Sequence, residues 1–241
     1  MHKRWKDIRQ SAIFEHGGVI HGFSTTVFGD MRKEDCRQLF LKVFGKTTDD
    51  LIWPEQTHGT EIAVVTAEER GKRIPVVDGL VYRRKKGDPS VVLAVHTADC
   101  TPILAIDPKK EIIGVVHAGW KGTVGHATKK LLAQMVQLGG AVSDIRICIG
   151  PRIGSCCYDI DESRKHIFVQ EFGEEVITAK HGKIFVDIGK ANYLDSRNAG
   201  ISEEHIDFDT SWCTSCQKET MFSYRRNGKT MTGEMVSVIG Y

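Results

Sequence analysis

The chain has 241 residues, 41% hydrophobic and 27% charged, enough for a full buried core, and its 33 Lys+Arg against 31 Asp+Glu leave a formal charge of +2. That balance excludes the basic stripe of a nucleic-acid groove and a polybasic membrane anchor, and the short, interrupted apolar runs exclude a membrane-spanning helix. Seven cysteines and an N-terminal MHKRWKDIRQ without an apolar h-region point to a cytoplasmic protein whose cysteines are thiols or metal ligands, not a disulfide framework.

Taken in chain order, VIHGFS is the first expected strand, and RKEDCRQLFLKVFG spaces its apolar residues as a helix that ends at Gly45. EIAVVT, DGLVY, VVLAVHT, PILAID and EIIGVVHAG are short β-branched runs bounded by Gly, Pro, Asp or Lys, and read as strands. GHATKKLLAQMVQLGG is a second helix with terminal glycines. IRICIG and KIFVDIG follow as strands, while DESRKHIFVQEFG and DIGKANYLDSRNAG follow as helices. No repeat, low-complexity segment or Pro/Gly/Ser-rich linker interrupts the chain, so residues 1–241 are expected to form one domain. The elements lack a regular βαβ rhythm, which favours an α/β (α+β) arrangement of mixed β-sheets packed against helices over a Rossmann fold.

The chemistry concentrates in VHTADCTP, at 95–102, and VVHAGWKG, at 115–122. The turn at Asp107-Pro108-Lys109-Lys110 makes PILAID and EIIGVVHAG a hairpin, and a turn centred between Pro108 and Lys109 sets Cys100 opposite His117. His58 in WPEQTHGT is a third candidate. Two histidines and a cysteine suffice for a catalytic zinc with one open position. A nucleophilic cysteine with a histidine base and a set of buried structural side chains stay open beside it. Cys213 and Cys216 in CTSC, and the adjacent Cys156 and Cys157, are expected to be structural, since neighbouring cysteines chelate poorly and no redox frame surrounds CTSC.

EQTHG (55–59), VDGLV (77–81), TADCTP (97–102), HAGWKGT (117–123), IGPRIGSCCYDID (149–161) and FSYRRNG (222–228) occur together and in order. This set resembles the YfiH/YlmD family, once described as multicopper polyphenol oxidases or laccase-domain proteins and now treated as purine nucleoside phosphorylases. The resemblance implies mixed sheets packed on helices, with a similarity to a cysteine-hydrolase scaffold. It also implies a metal held by His58, Cys100 and His117, with zinc expected and copper as the older label. The implied activity is phosphorolysis of adenosine, inosine, guanosine or methylthioadenosine, with adenosine deamination credited to some members. Lys121 stands where Arg is more usual, Tyr82 where a Thr often follows DGLV, and Asn227 where an acidic residue is common.

Phosphorolysis needs a held phosphate and an electrostatically supported leaving base, whereas deamination needs an activated hydroxide at C6 and a carboxylate proton shuttle. Asp78 and Asp99 are the shuttle candidates, ahead of Glu55; Lys121, Arg152, Arg225 and Arg226 are the phosphate candidates. Lys121 offers no planar fork to phosphate, unlike an arginine at that position. Trp120, Phe222 and Tyr224 could stack on a purine. His96 is read as a supporting residue. The rival activities are a cysteine hydrolase or amidase using Cys100 with His117 or His58 on cell-wall peptide precursors, and a copper oxidase of phenols. The ten histidines include no HxH pair, which weighs against coupled copper sites. The expected partners are a purine nucleoside and phosphate, with no nucleic acid and no membrane, acting on a monomer or homodimer.

Overall fold

The apolar runs become strands buried on both faces, and so they read as continuous hydrophobic stretches and not as alternating ones. A computed structural model describes residues 8–15, 18–228 and 233–241; the N-terminal MHKRWKD lies outside the described residues. In chain order the strands are β1 (Ile20–Phe23), β2 (Leu51–Pro54), β3 (Ile62–Val65), β4 (Arg73–Ile74), β5 (Gly79–Arg83), β6 (Val92–Thr97) and β7 (Thr101–Asp107). They continue as β8 (Ile112–Ala118), β9 (Arg146–Ile149), β10 (Asp159–Ile160), β11 (Ile177–Lys180), β12 (Lys183–Val186), β13 (Ile206–Phe208) and β14 (Met235–Gly240). The helices are α1 (Glu34–Leu41), α2 (Trp120–Val124), α3 (Ala127–Gln137), α4 (Glu162–Phe172), α5 (Ile188–Asn198) and α6 (Tyr224–Asn227). None is long and apolar enough to cross a membrane.

Three mixed or antiparallel sheets result, ordered β1-β14-β6-β2-β4, β13-β9-β7-β8-β5-β3 and β10-β12-β11. The first two stack face to face. Leu93 and Val95 of β6 share one apolar cluster with Leu104 and Ile106 of β7 and Ile113 and Val115 of β8. The alternate residues of the same strands face outward onto helices. Val92 and Ala94 pack with Phe40 and Leu41 of α1, while Ile103, Ala105, Ile112 and Val116 pack with Leu131, Leu132 and Met135 of α3. The period-two alternation of side chains therefore builds a helix-sheet-sheet-helix stack from strands with no polar face.

Side-chain caps start two of the later helices. Asp161 accepts the Arg164 N–H at 2.7 Å at the start of α4, and Asp187 accepts the Lys190 N–H at 2.8 Å at the start of α5. After α1 the chain tightens into a 3₁₀ turn and stops at Gly45, whose φ is 70°. The C-terminal strand β14, which the apolar-run reading leaves unassigned, sits inside the five-stranded sheet between β1 and β6.

The β7/β8 register differs from the expected one. Pro102 faces His117 and Asp107 faces Ile112, so the turn comprises residues 108–111 and Cys100 lies just beyond the ladder. The cause is Glu111, whose φ of 52° puts it inside the turn where the sequence reading counted it as strand. Asp107 stabilises this longer turn by accepting the N–H groups of Lys109 and Lys110, both at 3.0 Å.

Leu104 is fully buried between the two stacked sheets. Leu104→Ala should lower the unfolding free energy by about 2–5 kcal/mol, the range for a core leucine truncation. Chemical denaturation at constant m-value checks this; a loss below about 1 kcal/mol would mean that the inter-sheet core is loosely packed there.

Candidate metal centre and its cavity

The site starts from one buried carboxylate. Asp78, fully buried at the start of β5, accepts the backbone N–H groups of Thr57 at 3.2 Å, His58 at 2.9 Å and Gly59 at 2.7 Å. It also accepts the Thr57 hydroxyl at 2.9 Å and the Nδ1–H of His117 at 2.8 Å. Burial alone would push this carboxyl up, but these donors outweigh it and hold Asp78 down at about 2. The EQTHG loop is thus fastened by its own amides. His58 takes a left-handed φ of 59°, and Gly59 leaves room where a Cβ would come within 3.3 Å of the Asp78 carboxylate.

His117 occupies the far end of β8, its Nδ1 committed to Asp78 and its Nε2 left to act as a ligand. Cys100 arrives at the corner between β6 and β7, directly after Asp99, whose φ is 98°. The thiol of Cys100 and one ring nitrogen each from His58 and His117 lie within 4.8 Å of one another. Gly119 closes the cradle from beneath, where an added Cβ would lie 3.1 Å from the Cys100 sulfur and 3.3 Å from the His58 ring. Desolvation opposes charge on both Cys100 and His117, but their mutual attraction and hydrogen bonding win. The thiol comes down to about 7, helped by His58, and the imidazole of His117 goes up to about 9, helped by Asp78. One thiolate and two imidazoles form a borderline-soft donor set with the stoichiometry of an open tetrahedral metal site.

These three residues lie in the wall of a cavity of about 1140 Å³. Trp53, Trp120, Tyr158 and Tyr224 contribute aromatic surface, and Arg32, Arg37, Arg73, Arg164 and Arg225 contribute cations. Among the described residues, the buried Nε atoms of Arg37 and Arg164 have no hydrogen-bond partner. Arg164 lies 4.7 Å over the Trp120 ring, and Arg225 lies 4.9 Å over the ring of Tyr158.

The candidate anion ligands separate sharply. Arg225 reaches the cavity, where its guanidinium donates to the Asp159 carbonyl at 3.0 Å and pairs with the Asp159 carboxylate. Arg152 does not line it: the side chain is buried, donates to the carbonyls of Gly150 and Asp209, and lies 4.4 Å over Phe208. Arg226 spends its guanidinium on the carbonyls of Thr214, Ser215 and Met221. Lys121 is exposed on α2, with Nζ over Trp120 at 5.8 Å, and does not line the cavity.

The expected proton shuttles are also committed elsewhere. Asp78 is closed off behind the ligands. Asp99 accepts the Thr214 hydroxyl at 2.5 Å and the Arg225 N–H at 2.6 Å, which joins the Cys100 corner to α6. Glu55 pairs with Arg73 at 3.7 Å on the rim. Phe222 packs against Gly233, whereas Trp120 and Tyr224 line the cavity. His96 lines it as well, 3.5 Å from Glu234, a carboxylate that the motif reading did not single out. Glu234 and Arg164 became visible only through tertiary packing, since neither belongs to a local chemical motif.

The family described as multi-copper polyphenol oxidoreductase laccase matches residues 28–241. The chain belongs to that family. Within this laccase-domain family, the purine nucleoside phosphorylase YlmD of Geobacillus stearothermophilus is 37% identical over 94% of this chain and 87% of its own length. The adenosine deaminase RL5 of an unknown prokaryotic organism is 31% identical over 84% of this chain and 81% of its own. Among solved structures, the Bacillus licheniformis hypothetical protein YfiH superposes with a TM-score of 0.86 at 27% identity, covering 98% of this chain and 99% of that one. YlmD from G. stearothermophilus gives 0.84 at 28% identity, covering 97% and 98%. The mixed-sheet fold and the YfiH/YlmD resemblance both hold.

Asp78→Asn should destabilise the fold by about 3–5 kcal/mol at neutral pH, because it removes the charge that pairs with His117 in a buried setting. The Asp78 contribution is present above its ordinary value of 3.8 and is lost as pH falls through about 2, since the folded protein depresses this group. Denaturant titrations of both proteins across this acid range should show the gap narrowing downward. A gap independent of pH would contradict an ionised Asp78.

Proposed function

We propose that this protein is a zinc-dependent purine nucleoside phosphorylase, with adenosine deamination as a second activity of the same site. The observation that carries this reading is the convergence of His58, Cys100 and His117 in an aromatic and arginine-lined cavity of about 1140 Å³. Relatives named purine nucleoside phosphorylase and adenosine deaminase support it. A cavity of that volume accommodates a nucleoside together with a phosphate.

A zinc held by His58, Cys100 and His117 would supply Lewis acidity and a lowered water pKa, the chemistry that deamination at C6 needs. The chain's own residues do the rest. Trp120, Tyr158 and Tyr224 offer faces on which a purine stacks. Arg164 lines the cavity as the cation best placed for phosphate oxygens; Arg37, which also donates to the Met31 and Arg32 carbonyls, and Arg225, which is paired with the Asp159 carboxylate, add positive charge beside it. Asp78 is a positioning residue: it fixes the His117 tautomer and fastens the His58 loop, and it has no path to substrate. The His96–Glu234 pair on the cavity wall is the titratable couple placed to move a proton. The expected cytoplasmic setting, where phosphate and nucleosides meet, belongs to the same reading.

The thiol of Cys100 at about 7, beside a histidine oriented by an aspartate, also has the form of a nucleophilic triad, which keeps the cysteine hydrolase as the second reading. Coupled copper chemistry fits less well. Among the described residues, the two groups able to hold a metal contain two histidines in total.

Zinc-loaded protein with adenosine, inosine, guanosine or methylthioadenosine should release free base only when phosphate is present, and adenosine alone should give inosine. Cys100→Ala should lose both reactions. Arg164→Ala should raise the KM for phosphate about tenfold, the equivalent of one charge-assisted hydrogen bond, while Lys121→Ala should stay within about twofold. Peptide cleavage by metal-free protein that thiol alkylation abolishes, with no base release under any condition, would establish the hydrolase instead.

A further inference from the structure

A second group of metal-ligating side chains lies outside the cavity. The sequence keeps Cys156 and Cys157 separate from Cys213 and Cys216, but the fold brings the four sulfurs within 4.8 Å of one another. None of the four lines the cavity. The adjacent pair becomes usable because residues 154–157 form a tight turn, with the Cys157 and Tyr158 N–H groups both donating to the Gly154 carbonyl, at 2.9 and 3.0 Å. Both neighbouring thiols then reach the same partner: Cys156 Sγ lies 3.5 Å and Cys157 Sγ 3.4 Å from Cys216 Sγ.

We propose that Cys156, Cys157, Cys213 and Cys216 form a tetrathiolate site for a single zinc ion, distinct from the His58, Cys100 and His117 group. Four thiolates at about 2.3 Å from a tetrahedral zinc have sulfur–sulfur edges of about 3.8 Å, close to the separations here. Spacing this short fits a mononuclear site and leaves no room for a four-iron cluster between the sulfurs. Cys216 is shared almost equally between Cys156 and Cys157, an arrangement that a metal satisfies and that pairwise disulfides do not.

The surroundings suit a metal thiolate. The Gly154 N–H points at the Cys213 sulfur at 3.3 Å, and the Cys216 N–H does the same. Amide donors to sulfur are the usual support of bound thiolate. Gly154 also has to be glycine, since a Cβ there would sit 3.3 Å from the Cys156 sulfur and 3.3 Å from the Cys213 Cβ. Lys180 Nζ, 3.4 Å from the Cys156 carbonyl, lies beside the excess negative charge that four thiolates would carry around a divalent ion. Each thiol gives up its proton to solvent as its metal–sulfur bond forms.

The site would staple two walls of the cavity across 56 residues of chain, from Cys157 to Cys213. One side of the staple carries Ile153 and Tyr158, and the other leads into Tyr224 and Arg225. Backbone pairing between Arg152 and Cys213 already aligns the two segments. Metal loading therefore stabilises the cavity wall from behind, without touching substrate.

The test is elemental analysis of protein purified under reductant. Wild-type protein should carry two zinc ions per chain, Cys100→Ala should keep one, and Cys157→Ser with Cys216→Ser in the Cys100→Ala background should keep none. Cobalt(II) titration of metal-free wild-type protein avoids reliance on variant folding. Strong thiolate-to-cobalt charge-transfer absorption that survives Cys100→Ala is expected. Cys100→Ala protein without bound metal, whose remaining thiols react with a thiol reagent equally fast with and without zinc, would overturn the proposal. Iron in place of zinc at that site would overturn the choice of metal.

Discussion

Two of the three ligands at the candidate metal centre depend on one carboxylate that never meets solvent. Asp78 is buried by the stacked sheets, so its charge survives only because five donors converge on it. Three of those donors are consecutive backbone amides of the EQTHG loop, and one is the ring of His117. A charge that must be paired is therefore used to hold two ligands from distant parts of the chain in one geometry. The third ligand, Cys100, is set by a separate device. Asp99 adopts a left-handed corner and ties that corner to Thr214 and to the start of α6.

The same economy shapes the cavity. Its floor comes from strand ends, and its cations come from α4, α6, β4 and the α1 region. The floor is thus preorganised while the walls present aromatic faces and guanidinium groups. The four-cysteine cluster stands behind one wall and joins the 150s loop to the segment that leads into α6. Two groups of metal-ligating residues would then serve different purposes, one open toward the cavity and one closed.

Local elements were largely legible in the sequence because their signals are local. The helix caps at Asp161 and Asp187 and the stop at Gly45 depend on a few neighbouring residues. The β7/β8 hairpin was legible in kind but not in register, since Glu111 adopts a left-handed conformation that its residue type does not announce. The neighbourhood of Cys100 and His117 survived that shift because it amounts to only two residues: Pro102 faces His117, and Cys100 lies just beyond that end of the ladder. The cations were the least legible. Arg152 and Arg226 sit in glycine-flanked or arginine-rich motifs, yet both are consumed by backbone carbonyls brought near by tertiary folding. Arg164 looks like an ordinary helix-surface charge, and only the packing of α4 against Trp120 turns it toward the cavity.

The central claim is that Asp78 orients His117 so that His58, Cys100 and His117 share one metal. A crystal structure of the zinc-loaded protein, with anomalous scattering measured at the zinc edge, tests it most directly. The account predicts an anomalous peak bonded to Cys100 Sγ, a His58 ring nitrogen and His117 Nε2, with His117 Nδ1 still donating to Asp78. A peak bonded to the Asp78 carboxylate, or no peak among these three residues, would contradict it.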